Sequence, residues 1–266
     1  MAADTFLETR REGAALVVTF VNPPRNLMNA TMVAQLDALA DEIDADPGVR
    51  ALVLTGGVDG IFITHYDVGE LSSVSDAARQ RESIGGGPEL HGMHRMLLKL
   101  QRLSKPVIAA INGVAMGGGC ELALACDFRY MAKGGAIGLP EVRVGILPGA
   151  GGTQRMARLL GTAKALELML LGDVIEAEAA ERIGLVHRAV DAARLLPEAL
   201  ALADELAKRP PLSIANIKRC VLEGSELPLI DALRLEQEAF WQTMRSDDAS
   251  RLMRQYLKSD RPLNEQ

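Results

Sequence analysis

The residues best placed to do chemistry are two glutamates, each beside a run of glycines. Glu121 is the only charged residue between Lys105 and Asp127, within PVIAAINGVAMGGGCELALACD. An ionised carboxylate in such apolar surroundings is costly unless it is paired and hydrogen-bonded. Glu121 is therefore either half of a buried ion pair or a working group. Gly117, Gly118 and Gly119 stand just before it. Lacking Cβ, they let a ligand approach the backbone, and a helix starting there would present free N–H groups and the positive end of its dipole. Such a place suits an oxyanion, although a tight packing turn would use the same glycines. Glu141 follows Pro140 in IGLPEVRVGILPGAGG, with Gly149, Gly151 and Gly152 close behind. Alone it reads as a surface residue. Two carboxyls brought to one oxyanion site would have their pKa values pushed apart, leaving one as base and the other as acid. That division suits adding water across an activated double bond.

Composition narrows the setting for this chemistry. The chain has 266 residues, 48% hydrophobic and 24% charged, which is enough for a large core and excludes global disorder. Lys and Arg number 29 against 35 Asp and Glu, a net charge of −6, and aromatics are only 3%. A nucleic-acid partner is thus not expected. Three cysteines, Cys120, Cys126 and Cys220, form no C-x-x-C pair and read as free thiols of a reducing compartment. MAADTFLETRREG has no signal-peptide core and no stretch reaches the length of a membrane span, so the expected location is cytoplasmic and off the membrane.

The elements that must position the glutamates follow from periodicity. LETR and ALVVTFV flank a hairpin turn at Arg11-Glu12-Gly13. Met32, Val33, Leu36, Leu39, Ala40 and Ile43 form the apolar face of a helix over 31–45, capped by Asn29 or Thr31 and stopped at Asp46-Pro47-Gly48. RALVLTGG and PVIAAI read as buried strands. Residues 72–88 are polar and end in Gly85-Gly86-Gly87-Pro88, which predicts a mobile surface segment or lid. A helix follows, with Leu90, Met93, Met96, Leu97, Leu100 and Leu103 on one face. PGAGGTQR opens another. After residue 190 only helical patterns remain, and the boundary is expected near Arg209-Pro210-Pro211. The fold class is thus α/β, with a core over 1–208 and a helical region over 209–266.

NGVAMGGGCELALACDFR, followed at the expected distance by LPEVRVGILPGAGGTQR, closely resembles the crotonase (enoyl-CoA hydratase/isomerase) family, over nearly the whole chain. The resemblance implies a spiral of ββα units with a C-terminal helical trimerisation region, assembled as a homotrimer or a dimer of trimers. It implies that Glu121 and Glu141 hold and activate water, with Glu141 also delivering a proton to the α-carbon. The backbone N–H groups of Gly118 and Tyr66 would form the oxyanion hole, and Gly149 would help place the water. PPRNLMNA resembles the family's K-R-N-A-L-N loop, making Arg25 a candidate for the CoA phosphates and Leu27 for contacts along CoA. Ile63 and Thr64 match the loop that grips adenine. The implied reaction is reversible hydration of a 2-trans-enoyl-CoA to a 3-hydroxyacyl-CoA, with no metal or redox cofactor and with coenzyme A as part of the substrate. Enoyl-CoA isomerisation, another crotonase reaction, and a catalytically silent CoA-binding or assembly subunit are the competing readings.

Two departures stand out. Thr64-His65-Tyr66-Asp67 replaces the family's A-G-A-D, so His65 would be strained if that position needs a positive φ. Altered substrate choice is the preferred consequence. Leu139 stands where hydratases often carry Gln, which predicts a raised Glu141 pKa through desolvation. His91 and His94, even with His65, lack a carboxylate at zinc-ligand spacing, and a histidine lining the acyl pocket is the better expectation. Asp127 and Arg129 are expected to form a structural ion pair, and His187 to be an ordinary strand residue.

Overall fold

Gly13 turns the first hairpin, in which β1 (Leu7–Glu12) and β2 (Ala15–Phe20) pair antiparallel. The structure is a computed structural model and describes residues 5–80 and 89–263. Asn29 caps α1 (Ala30–Ala45), its side chain accepting from the Met32 amide at 2.8 Å. β3 (Ala51–Gly56) joins β2 in parallel, and the chain then crosses to a second sheet as β4 (Ile61–Ile63) before entering α2 (Val68–Arg79). After α3 (Gly92–Arg102), the same step repeats with β5 (Val107–Ile111), β6 (Val114–Met116) and α4 (Gly118–Leu124). A third round consists of β7 (Phe128–Ala132), β8 (Ala136–Gly138), a 3-10 turn at Glu141–Val144, α5 (Gly152–Leu160) and α6 (Thr162–Leu171). β9 (Val174–Glu176), α7 (Ala177–Arg182), β10 (Arg188–Val190) and α8 (Ala192–Ala207) complete it.

From β3 to β8 successive strands therefore alternate between two sheets, ordered β1-β2-β3-β5-β7-β10 and β4-β6-β8-β9. Period-2 geometry explains why β3 and β5 look continuously apolar. Leu52, Leu54, Val107, Ala109 and Ile111 face a core shared with Met32 and Leu36 of α1 and Met96, Leu97 and Leu100 of α3. Ala51, Val53, Ile108 and Ala110 face the other way, against Leu195, Ala199 and Ala203 of α8. A sheet buried on both faces has no polar alternation to show. Each large aliphatic side chain so buried contributes about 1.5–3 kcal/mol.

Residues 72–79, expected as irregular, belong to α2. Asp67 caps it, accepting from the Gly69 and Glu70 amides at 2.7 and 3.3 Å, but none of its residues is buried, so it lacks the apolar face that marks a helix in sequence. The rest of the expected mobile segment, 81–88, lies outside the described residues. Leu90, expected on the buried face of α3, precedes that helix and is exposed. Arg129 and Asp127 both take main-chain partners. Arg129 donates to the carbonyls of Leu185 at 2.9 Å and Cys126 at 2.6 Å, while Asp127 Oδ2 accepts from the Val107 amide at 2.7 Å. His187 Nδ1 accepts from the Arg129 amide at 3.1 Å.

The chain divides into two compact units, Met1–Leu206 and Ala207–Gln266. The second contains α9 (Pro211–Gly224), α10 (Leu229–Met244) and α11 (Asp247–Tyr256). Within it Asn216, buried, donates from Nδ2 to Ala239 O and Gln242 Oε1, both at 3.3 Å, tying α9 to α10. Among the described residues no helix is long and apolar enough to cross a membrane.

Candidate active site

Glu121 sits in the last turn-and-a-half of α4, a helix whose seven residues are all buried. Its Oε1 accepts from the Ala150 amide at 2.6 Å and the Gly152 amide at 2.8 Å. Burial pushes its pKa up, and these two amides, Arg155 and His91 pull it back. The loop supplying the amides is held from outside. Its Gly149 carbonyl accepts from His91 Nε2 at 2.8 Å, and its Ala150 carbonyl accepts from Arg155 at 3.1 Å. N–H groups thus face the carboxylate while C=O groups face donors. Gly152 must lack a side chain here, because a Cβ would lie 2.9 Å from Leu139 Cδ1 and Pro148 Cβ and 3.0 Å from Glu121 Oε1.

Glu141 begins the 3-10 turn after β8. Its Oε2 is buried with no hydrogen-bond partner, and its pKa is pushed up to about 7, first by desolvation and further by the charge of Glu121. The direction matches that expected from an apolar setting, and Leu139 is fully buried. Glu141 Oε1 lies over the glycine run, 3.3 Å from where a Gly117 Cβ would stand; that same point is 3.6 Å from His65 Cβ.

Gly118 and Tyr66 meet across a narrow gap. A Cβ on Gly118 would lie 3.5 Å from the Tyr66 amide nitrogen. Among the described residues neither amide donates to another part of the chain. The strain expected at His65 is absent, since Asn26, at φ 48°, is the only described non-glycine with a positive φ. His65 Nδ1 donates to the Tyr66 carbonyl at 2.7 Å, so its Nε2 is free to accept from Arg25 at 3.1 Å. Tyr66 OH donates to Glu70 Oε2 at 2.8 Å, and that oxygen also takes the Ala30 amide at 3.0 Å. Burial, reinforced by Glu70, raises the phenol pKa and keeps the proton on oxygen.

One cavity of about 1360 Å³ is lined by Tyr66, Gly118, Glu121, Glu141 and Gly149, together with His65 and His91. The four residues matched to the CoA contacts are not among its lining. Arg25 is exposed and Leu27 half-buried. Thr64 donates its hydroxyl to the Arg25 carbonyl. Ile63 is fully buried in the core, because β4 turns its side chain inward, which leaves its backbone for any contact with a nucleotide. Sequence reading passed over Asn26, Glu70 and Arg155. Asn26 is fully buried in a left-handed conformation, accepting from the Asn22 amide at 2.8 Å and donating to the Phe62 carbonyl at 2.5 Å. Its signal is an Asn after Pro-Pro-Arg, a residue type that tolerates such a turn.

A two-sheet ββα spiral carrying this site defines a class of protein, and comparison with known proteins identifies it. The family model described as Enoyl-CoA hydratase/isomerase matches residues 10–265. The short-chain-enoyl-CoA hydratase of Clostridium acetobutylicum is 34% identical over 250 residues, covering 93% of each chain. The crotonyl-CoA hydratase of Syntrophomonas wolfei is 35% identical over 246 residues, covering 91% of this chain and 92% of that one. A crystal structure of enoyl-CoA hydratase from Bacillus anthracis superposes with a TM-score of 0.86 at 28% identity, covering 96% of both chains. The chain belongs to the enoyl-CoA hydratase/isomerase family and has the crotonase fold. Membership implies an acyl-CoA substrate.

Proposed function

We propose that the chain is an enoyl-CoA hydratase, adding water reversibly to a 2-trans-enoyl-CoA to give a 3-hydroxyacyl-CoA. The observation that carries this reading is the unequal setting of two carboxyls on one cavity wall. Glu121 is held by two amides, whereas Glu141, with a pKa near 7, keeps one oxygen unpartnered.

In this scheme the thioester oxygen lies between the amides of Tyr66 and Gly118. Two fixed donors stabilise the enolate-like charge by about 3 kcal/mol each, on the scale of other oxyanion holes. Water, positioned beside Gly149, forms its C–O bond at the β-carbon and releases a proton to the Glu121 carboxylate. Glu141, as the carboxylic acid, gives its proton to the α-carbon. One water is added, and the original protonation states return by proton exchange with solvent. Arg25 is the candidate for the CoA phosphates, Leu27 for a contact along CoA and Thr64, with the Ile63 backbone, for the nucleotide end. The unit Ala207–Gln266 is assigned to self-association as a trimer or a pair of trimers.

The test is loss of the conjugated enoyl-thioester absorbance of crotonyl-CoA. The parent should consume it rapidly, and Glu121→Gln and Glu141→Gln should each lower kcat by about 10²–10⁴-fold, as expected for acid–base groups. Binding without turnover in the parent would favour a silent binder. Proton transfer within the substrate that survives Glu121→Gln would favour an isomerase.

A further inference from the structure

The peptide unit joining Gly149 to Ala150 stands between two side chains of the cavity. Its carbonyl accepts from His91 Nε2 at 2.8 Å, and its amide donates to Glu121 Oε1 at 2.6 Å. A carbonyl only accepts, so His91 carries a proton on Nε2. Because a peptide is planar and trans, its C=O and N–H point in opposite directions. Whatever orients the first orients the second, and hydrogen bonds at both ends of one amide polarise each other.

We infer that His91 is a positioning residue for Glu121, holding the Gly149–Ala150 peptide so that its N–H meets the carboxylate. The catalytic consequence rests on the hydratase reading; the contact itself does not. His91 occupies the capping position before α3 and reaches the loop across 58 residues of sequence. Its ring is 4.0 Å from that of His94, at 60° to it, which restricts its rotation. The other outside support, Arg155, is fixed by the Gln101 side chain at 3.0 Å and holds the next carbonyl, Ala150 O, at 3.1 Å. It therefore cannot substitute for His91 at Gly149. With His91 removed, the Gly149–Ala150 peptide is free to tilt, and Glu121 loses the shorter of its two amide bonds while keeping that of Gly152.

The experiment compares the parent with His91→Phe, which keeps a ring but no donor, and His91→Gln, whose amide nitrogen reaches the same carbonyl. His91→Phe should lower kcat on crotonyl-CoA about tenfold, the worth of one ordinary hydrogen bond. KM should stay within about twofold, because the lost contact acts on the chemical step. His91→Gln should recover most of the rate. In amide-resolved NMR of the intact protein, the Ala150 resonance should move in His91→Phe and stay near its parental position in His91→Gln. A His91→Phe enzyme with parental kcat, equal loss in both variants, or an unmoved Ala150 resonance would overturn the inference. A parent that does not hydrate crotonyl-CoA would instead refute the hydratase reading, and the Ala150 resonance would then decide the positioning role alone.

Discussion

Glu141 has one carboxyl oxygen in the protein interior without a partner, and that desolvation, with a further push from the charge of Glu121, raises its pKa to about 7. A carboxyl whose folded-state pKa lies above its ordinary value of 4.5 binds its proton more tightly in the folded chain. Its effect on stability is therefore most favourable at low pH and is lost as pH rises from 4.5 through about 7. Glu141→Gln should remove that slope, so that its melting temperature gains on the parent's across this window; parallel melting curves would contradict the assignment. The same protonation governs the reaction. Hydration needs Glu141 as the acid, so kcat/KM for crotonyl-CoA, which follows the groups of the free enzyme, should fall as pH rises through about 7. A profile flat through that point would remove Glu141 from the acid role. At this scale the sequence was informative: an isolated glutamate in an apolar run marked Glu121. It was silent on Asn26, Glu70 and Arg155, each of which also takes a partner from a distant segment, 36, 40 and 54 residues away.

Elements act here mainly as fixed mounts. α4 supplies Glu121 and the start of α5 supplies the loop around it, and their fit depends on the missing side chain at Gly152. A Cβ there would meet Leu139, Pro148 and the Glu121 carboxylate at once. Gly152→Ala should fold but displace Glu121, lowering kcat by about tenfold or more, the cost of one disrupted carboxylate hydrogen bond. Undiminished turnover with an intact circular dichroism spectrum would show that the loop can absorb a methyl group. Periodicity located most elements, since α1, α3 and the buried strands carry long apolar repeats. It missed residues 72–79 of α2, a helix set by the Asp67 cap rather than by a buried face. Its side chains Leu71 and Val74 line the cavity, so their apolar character serves the site.

For the whole molecule, the second unit leaves Ile217, Val221, Leu229 and Ile230 more than half exposed, together with Trp241 at 50%. A single chain with that much apolar surface on a three-helix unit is expected to associate. Sedimentation should give a mass three or six times that of one chain. Trp241 is the sole tryptophan, so its emission should shift to the red on dilution below the association range. A monomer at all concentrations would remove the oligomerisation role from this unit. The family likeness extends over residues 10–265 and so includes this region as well as the site.

The sequence by itself determined the buried strands, α1, the family and the unusual setting of Glu121, because each is written in residues close together or in a repeating local pattern. Tertiary structure alone decided which groups share the cavity. It brought His91 to Gly149, put the Ile63 side chain in the core and left His65 unstrained beside Arg25. It also gave the two glutamates different settings, amide-held for Glu121 and desolvated for Glu141. The physical reason is that desolvation and hydrogen bonding depend on what surrounds a group in space, and those neighbours come from distant parts of the chain.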